Sequence, residues 1–143
     1  MTAAPPKESP RMNSAPNRPL SAADASELAR AWVRAWNDHD LDAILSHYAE
    51  PLRFTSPLVV TRLGRADGTL RSKAELRAYF AQGLDAQRAL RFELEAVLPG
   101  VDSLALCYRN HRGQSVVEVM RLNGDGLVDQ VMVHYATLKD GTP

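Results

Sequence analysis

The chain has 143 residues, with 17 basic and 17 acidic side chains and a formal charge of zero, a length that suits one domain with a core that needs no staples. No arginine- or lysine-rich run breaks that balance, and no apolar stretch approaches the ~20 residues that span a bilayer, so neither nucleic acid nor membrane is expected as a partner. Cys107 is the one cysteine, which excludes an internal disulfide and fits a reducing, cytoplasmic setting.

Residues 1–20 hold five of the nine prolines among Ala, Ser and Asn. Such a segment buries too little apolar surface to offset its ordering entropy, and is expected to be a disordered tail without the apolar core of a secretory signal. The folded domain is expected over 21–138, with 139–143 as a second tail. Ser21-Ala22-Ala23-Asp24 reads as a helix cap, and Leu28, Trp32, Ala35 and Trp36 recur at helical spacing as far as Asn37. After the break at 37–40, Leu41, Ile44, Leu45 and Tyr48 predict a short second helix ended by Pro51. Leu52–Ser56 and Leu58–Thr61 read as short strands bent at Pro57, and Gly64–Gly68 as a loop. Ser72-Lys73-Ala74-Glu75 caps a third helix whose inward stripe is Leu76, Tyr79, Phe80 and Gly83.

The period then changes from 3.6 to 2. Strands are predicted over Arg91–Leu98, Ser103–Asn110, Ser115–Leu122 and Leu127–Leu138, separated by short Gly-containing turns that demand antiparallel neighbours. Cys107, within the apolar run 104–108, reads as a small buried hydrophobe. If Leu122 and Leu127 flank the Asn-Gly-Asp-Gly turn, Met120 faces Asp129, Glu118 faces Val131 and Val116 faces Val133. Val116, Glu118, Met120, Val131, Val133 and Tyr135 then share one sheet face, with Asp129 at its rim. A carboxylate lies in the middle of an apolar patch that the helices must cover. The order of helices followed by a strand meander is α+β.

Three stretches resemble the SnoaL-like, NTF2-like proteins: Trp36-Asn37-Asp38-His39-Asp40-Leu41 with Tyr48-Ala49-Glu50, then Phe54-Thr55-Ser56-Pro57, and finally Val117–Leu122 with the strand reaching Tyr135. The likeness spans roughly residues 24–136. It implies a cone-shaped fold, in which a curved, mainly antiparallel sheet wraps around three helices, with one open-ended pocket and frequent homodimers through the outer sheet face. It also implies that Glu118 stands where ketosteroid isomerase has the buried acid of its oxyanion hole. The pattern departs from that enzyme at two places: Ser56 occupies the position of the proton-moving aspartate, and Trp32 that of the oxyanion-hole tyrosine. Steroid isomerisation by that route is therefore not expected, because a serine without a partner base accepts no proton near neutral pH.

The candidate acid or base is Glu118, since a carboxyl in an apolar pocket holds its proton to a higher pH. The alternative is a carboxylate paired with an Arg or Tyr across the sheet, or one facing solvent. Tyr108 is a candidate hydrogen-bond partner, although the turn at 111–113 leaves its face open by one residue. Trp32, Tyr48, Ser56, Phe80 and Tyr135, with the apolar face Val116, Met120, Val131 and Val133, are the candidate ligand-binding positions, and each also reads as core. His39, His47, His111 and His134 do not cluster, so no metal site is predicted, and no dinucleotide or other cofactor motif occurs. Three functions remain open: a cofactor-independent enzyme acting on a small apolar carbonyl compound, a non-catalytic binder of such a molecule, and a dimerisation module with a vestigial cavity. A ligand site beside Glu118 calls for a volume of ~300 Å³.

Overall fold

A computed structural model of the chain describes residues 20–137; the proline-rich segment up to Pro19, together with Leu138 and residues 139–143, lies outside the described residues. Four helices and six strands follow in the order α1 (Ala22–Asn37), α2 (Leu41–Leu45), β1 (Tyr48–Thr55), α3 (Pro57–Leu63), β2 (Thr69–Leu70), α4 (Lys73–Ala86), β3 (Glu93–Pro99), β4 (Ser103–Arg109), β5 (Ser115–Leu122) and β6 (Val128–Tyr135). The strands form one curved sheet in the order β2-β1-β6-β5-β4-β3. All neighbours are antiparallel except β1 and β6. Among the described residues no helix is long and apolar enough to cross a membrane.

Both capping sequences act as caps. Ser21 Oγ accepts from Asp24 N–H at 3.0 Å, and Ser72 Oγ from Glu75 N–H at 3.1 Å, each satisfying one orphan donor of a first helical turn. From α1, Ala25, Ala29, Trp32 and Trp36 are buried against the sheet. Asn37 ends the helix with a second task. Its amide donates to Phe92 O (3.0 Å) and accepts from Phe92 N–H (2.7 Å), which fixes Phe92 beneath the tryptophans just before β3 begins.

Two local readings are corrected. Tyr48 does not end the second helix; α2 stops at Leu45, and Tyr48 opens β1, paired with Val128 of β6. Long-range pairing overrides the helical spacing here. Pro51 lies inside β1 rather than ending a helix, in the stretch between Tyr48 and Arg53 where the β1–β6 register is interrupted, so its missing N–H removes no ladder bond. The second correction concerns Leu58–Thr61, which is helical. Ser56 caps it by accepting from Leu58 N–H at 3.2 Å, Pro57 takes the first turn, and Gly64 closes it in the left-handed region at φ 70°. The β-branched run Val59-Val60-Thr61 suggested a strand, whereas the cap-proline-glycine frame decided for a helix.

The β5–β6 register differs from the expectation by two residues. Met120 pairs with Val131, Glu118 with Val133 and Val116 with Tyr135. Two separate one-residue shifts produce this. In the turn, Asn123 N–H bonds to Leu127 O at 2.8 Å, so Leu122 meets Val128 rather than Leu127. A bulge at Asp129 then adds the second shift. Their sum is even, so Glu118, Met120, Val131 and Val133 stay on the inner face. Asp129 does not: at the bulge it turns outward and pairs with Arg121 at 3.0 and 2.9 Å.

Gly68 joins α3 to β2 at φ 65°, and a Cβ there would lie 2.9 Å from Val60 Cγ2 and 3.0 Å from Ser56 O. Gly68→Ala should cost about 1–3 kcal/mol in urea denaturation. Gly113→Ala, equally left-handed but open, with no atom within 4 Å of its Cβ, should cost less; equal losses at the two sites would show that the crowding around Gly68 is of no consequence.

Candidate functional site

Glu118 projects from the middle of β5, between Leu106 of β4 and Val133 of β6, into the space beneath the helices. It is 6% exposed. The β4–β5 register places Tyr108 on the same inner face, opposite Val116, and its hydroxyl donates to Glu118 Oε2 at 2.5 Å. The phenol ring is held by Phe92 (centroids 4.4 Å apart) and Trp32 (5.5 Å). The other carboxyl oxygen, Oε1, is buried without a hydrogen-bond partner, as is Trp36 Nε1. Such orphaned polar atoms are uncommon in folded proteins. Here both belong to residues lining one cavity.

That cavity has a volume of about 110 Å³. Its apolar wall comes from Trp36, Phe54, Tyr79, Phe80, Phe92 and Tyr108, with Glu118 and Tyr135 on the sheet side. Arg62 of α3 and Gly83 of α4 lie at one side; Gln87 and the turn residues Asn110 to Arg112, with Gln114, form a polar rim. The rim is internally bonded, His111 to Gln87 (2.9 Å) and Asn110 to Gln114 (3.1 Å). The volume is smaller than the ~300 Å³ expected of a ligand site and suits a molecule of about one ring. Glu118 is the one acid lining it among the described residues.

Burial pushes the Glu118 carboxyl up from 4.5 to about 7, with the Tyr108 hydrogen bond working in the opposite direction. A charge removed from water loses hydration that one phenol cannot replace. The same burial, reinforced by the Glu118 charge, keeps Tyr108 and Tyr135 protonated well above the ordinary phenol range. Near neutral pH, Glu118 alone in this cluster exchanges a proton readily.

The candidate positions fall into three groups. Phe80, Tyr108, Glu118 and Tyr135 meet at the cavity. Val116, Met120, Val131 and Val133 share the inner sheet face with Glu118 but pack in the core rather than along the cavity. Trp32, Tyr48 and Ser56 are buried and do not themselves line the cavity. Trp32 Nε1–H donates to Tyr48 Oη at 3.0 Å, so each satisfies the other. Ser56 is occupied as the cap of α3, beside the Tyr79 and Tyr135 phenols. Trp36, at helical spacing from Trp32, reads from the sequence as core rather than ligand platform, and no motif marks Phe54, Tyr79, Phe92 or Arg62 as a site residue. A signal existed for Tyr79, on the inward helical stripe, and for Arg62, had Ser56-Pro57 been read as a helix start. Among the described residues no group of three His, Cys, Asp or Glu side chains could hold a metal.

The SnoaL-like domain family matches residues 29–142. The chain belongs to the SnoaL-like family. A SnoaL-like protein of unknown function from Burkholderia thailandensis, solved by crystallography, is 42% identical, with a TM-score of 0.82 over 83% of this chain and 99% of that one. AclR from Streptomyces galilaeus, a candidate hydroxylase, is 23% identical with a TM-score of 0.64, over 81% of this chain and 77% of its own; at that identity the likeness concerns the fold alone. No curated protein matches the chain.

The shifted carboxyl of this SnoaL-like protein has a consequence for stability. The folded state holds the Glu118 proton more tightly than the unfolded chain does. Its contribution is therefore complete below pH 4.5 and is lost as pH rises through about 7. Between pH 4 and 8 the wild type should lose roughly 3 kcal/mol relative to Glu118→Gln. Urea midpoints of both proteins at the two pH values measure this, and a pH-independent difference would contradict the shift.

Proposed function

We propose that this SnoaL-like protein binds a small, largely apolar carbonyl compound and moves a proton on it through Glu118, as a cofactor-independent isomerase, cyclase or hydrolase. The observation that carries the reading is the unpartnered Glu118 Oε1, buried at the cavity while Tyr108 holds the other oxygen. An ionised Glu118 can accept a proton from a carbon next to a carbonyl. The Trp36 indole N–H, a donor without a partner, is available to the negative oxygen that then develops. A carboxyl titrating near pH 7 supplies both the base and its conjugate acid under ordinary conditions. The second reading is a binder without turnover. It is favoured by the commitment of Trp32 and Ser56 to the core and to a helix cap, which leaves Glu118 without a second acid or base of the isomerase kind.

Cyclohexanone, a single-ring ketone, separates the two. The wild type should accelerate exchange of its α-protons in D2O, followed by NMR, with the rate rising through about pH 7. Glu118→Gln should lower that rate by about 100-fold or more while tryptophan fluorescence still reports binding. Binding with exchange no faster than in buffer would leave the binder reading standing and remove the enzyme.

The outer sheet face is proposed to bind a second copy of the chain. Val119 lies there between its cross-strand neighbours Ala105 and Met132, with Cys107 and Val117 beside them; Met132 is 42% exposed. A reduced Cys107 at such an interface suits a cytoplasmic location. Light scattering after size exclusion should give a dimer mass for the wild type and a monomer mass for Val119→Lys, with unchanged circular dichroism. A monomeric wild type would refute the pairing.

A further inference from the structure

The cavity carries a charge pattern that its apolar lining does not require. Two cations, Arg62 and Arg112, line it against one acid, Glu118. Of the twelve arginines among the described residues, six (65, 71, 77, 88, 109 and 121) are paired with carboxylates, and of the other six only Arg62 and Arg112 line this cavity. Neither Arg62 nor Arg112 has a carboxylate partner among the described residues. Arg62 also reaches toward the cavity rather than simply extending into solvent. Its Nη1 would lie 3.6 Å from a Cβ placed on Gly83, inside α4. That is ordinary van der Waals distance, and it places the guanidinium against α4 at the wall of the cavity. Tyr79 and Tyr135 line the same cavity within electrostatic reach of Arg62 and of Glu118. Each phenol feels Glu118, which opposes its ionisation, and Arg62, which favours it. The cavity thus combines a proton-exchanging carboxyl, Glu118, with a guanidinium, Arg62, that acts on the same two phenols.

We propose that the ligand of this cavity is a small keto acid: an apolar body whose carbonyl side meets Glu118 and Trp36 and whose carboxylate is held by Arg62. The inference rests on the reading of the cavity as a ligand site and specifies what that site takes. A guanidinium binds a carboxylate through paired, charge-assisted hydrogen bonds, and the phenols can donate further ones. The neutral ester of the same acid offers Arg62 no charge. Arg62 is an anchoring residue here, remote from the reacting carbon.

The test compares 4-oxocyclohexanecarboxylate with its methyl ester at pH 8, by calorimetry and tryptophan fluorescence. The wild type should bind the acid about tenfold more tightly than the ester, the scale of one hydrogen bond to a charged group. Added sodium chloride should weaken the acid and leave the ester unaffected. Arg62→Met should abolish the preference while ester binding persists, and Arg62→Lys should keep part of it; Arg62 lies on an exposed position of α3, and thermal melts check that both variants fold. Equal affinities of the wild type for acid and ester, or a preference that survives in Arg62→Met, would overturn the anchor and leave the ligand site in place. If neither compound binds the wild type, the ligand-site reading falls, and the anchor with it.

Discussion

A carboxyl group buried among aromatic rings and held by one phenol is the constraint around which this domain is arranged. Ionised and without partners, Glu118 would be strongly destabilising in such surroundings. The structure meets that demand incompletely. Tyr108 supplies one hydrogen bond, at 2.5 Å, and the remaining oxygen is buried without a partner. The protein therefore keeps its proton toward neutral pH instead of filling the space with a second donor. Incomplete satisfaction of this kind lowers stability and leaves a group able to exchange protons, a combination that belongs to sites rather than to cores.

The surrounding elements serve to hold that pair still. Phe92 packs against Tyr108 and is itself fixed by both ends of the Asn37 amide, so the end of α1 controls the phenol through one intermediate ring. Trp32 spends its N–H on Tyr48, whereas the N–H of Trp36, one turn later, is buried without a partner in a residue that lines the same cavity as Glu118. Two tryptophans four residues apart on one helix thus have different chemistry. The difference is set by β1, which brings the Tyr48 hydroxyl to one indole and not to the other.

The position of Glu118 relative to β6 depends on a pair of irregularities. The three-residue turn after Asn123 and the bulge at Asp129 each slip the register by one. Either alone would put Gln130 and Met132 on the inner face in place of Val131 and Val133, burying the polar Gln130 amide among apolar side chains. Together they restore the alternation and leave Asp129 outside, where Arg121 takes it up. Membership in the SnoaL-like family and the crystal structure from Burkholderia thailandensis agree on this scaffold; what the cavity does with its acid is carried by the residues of this chain.

The sequence by itself determined the α+β order, the two capped long helices, the four-strand meander and the inward phase of Glu118. All of these follow from local periodicity, from caps, and from the need to bury an apolar face. Tertiary structure alone decided that Tyr48 belongs to a strand paired with β6, that Trp36 rather than Trp32 offers its N–H, and that Arg62 stands at the cavity with Tyr79 and Tyr135. These facts depend on which segments meet across distances of tens of residues. Periodicity records the face a side chain takes on its own element and carries no information about the atom that arrives opposite it.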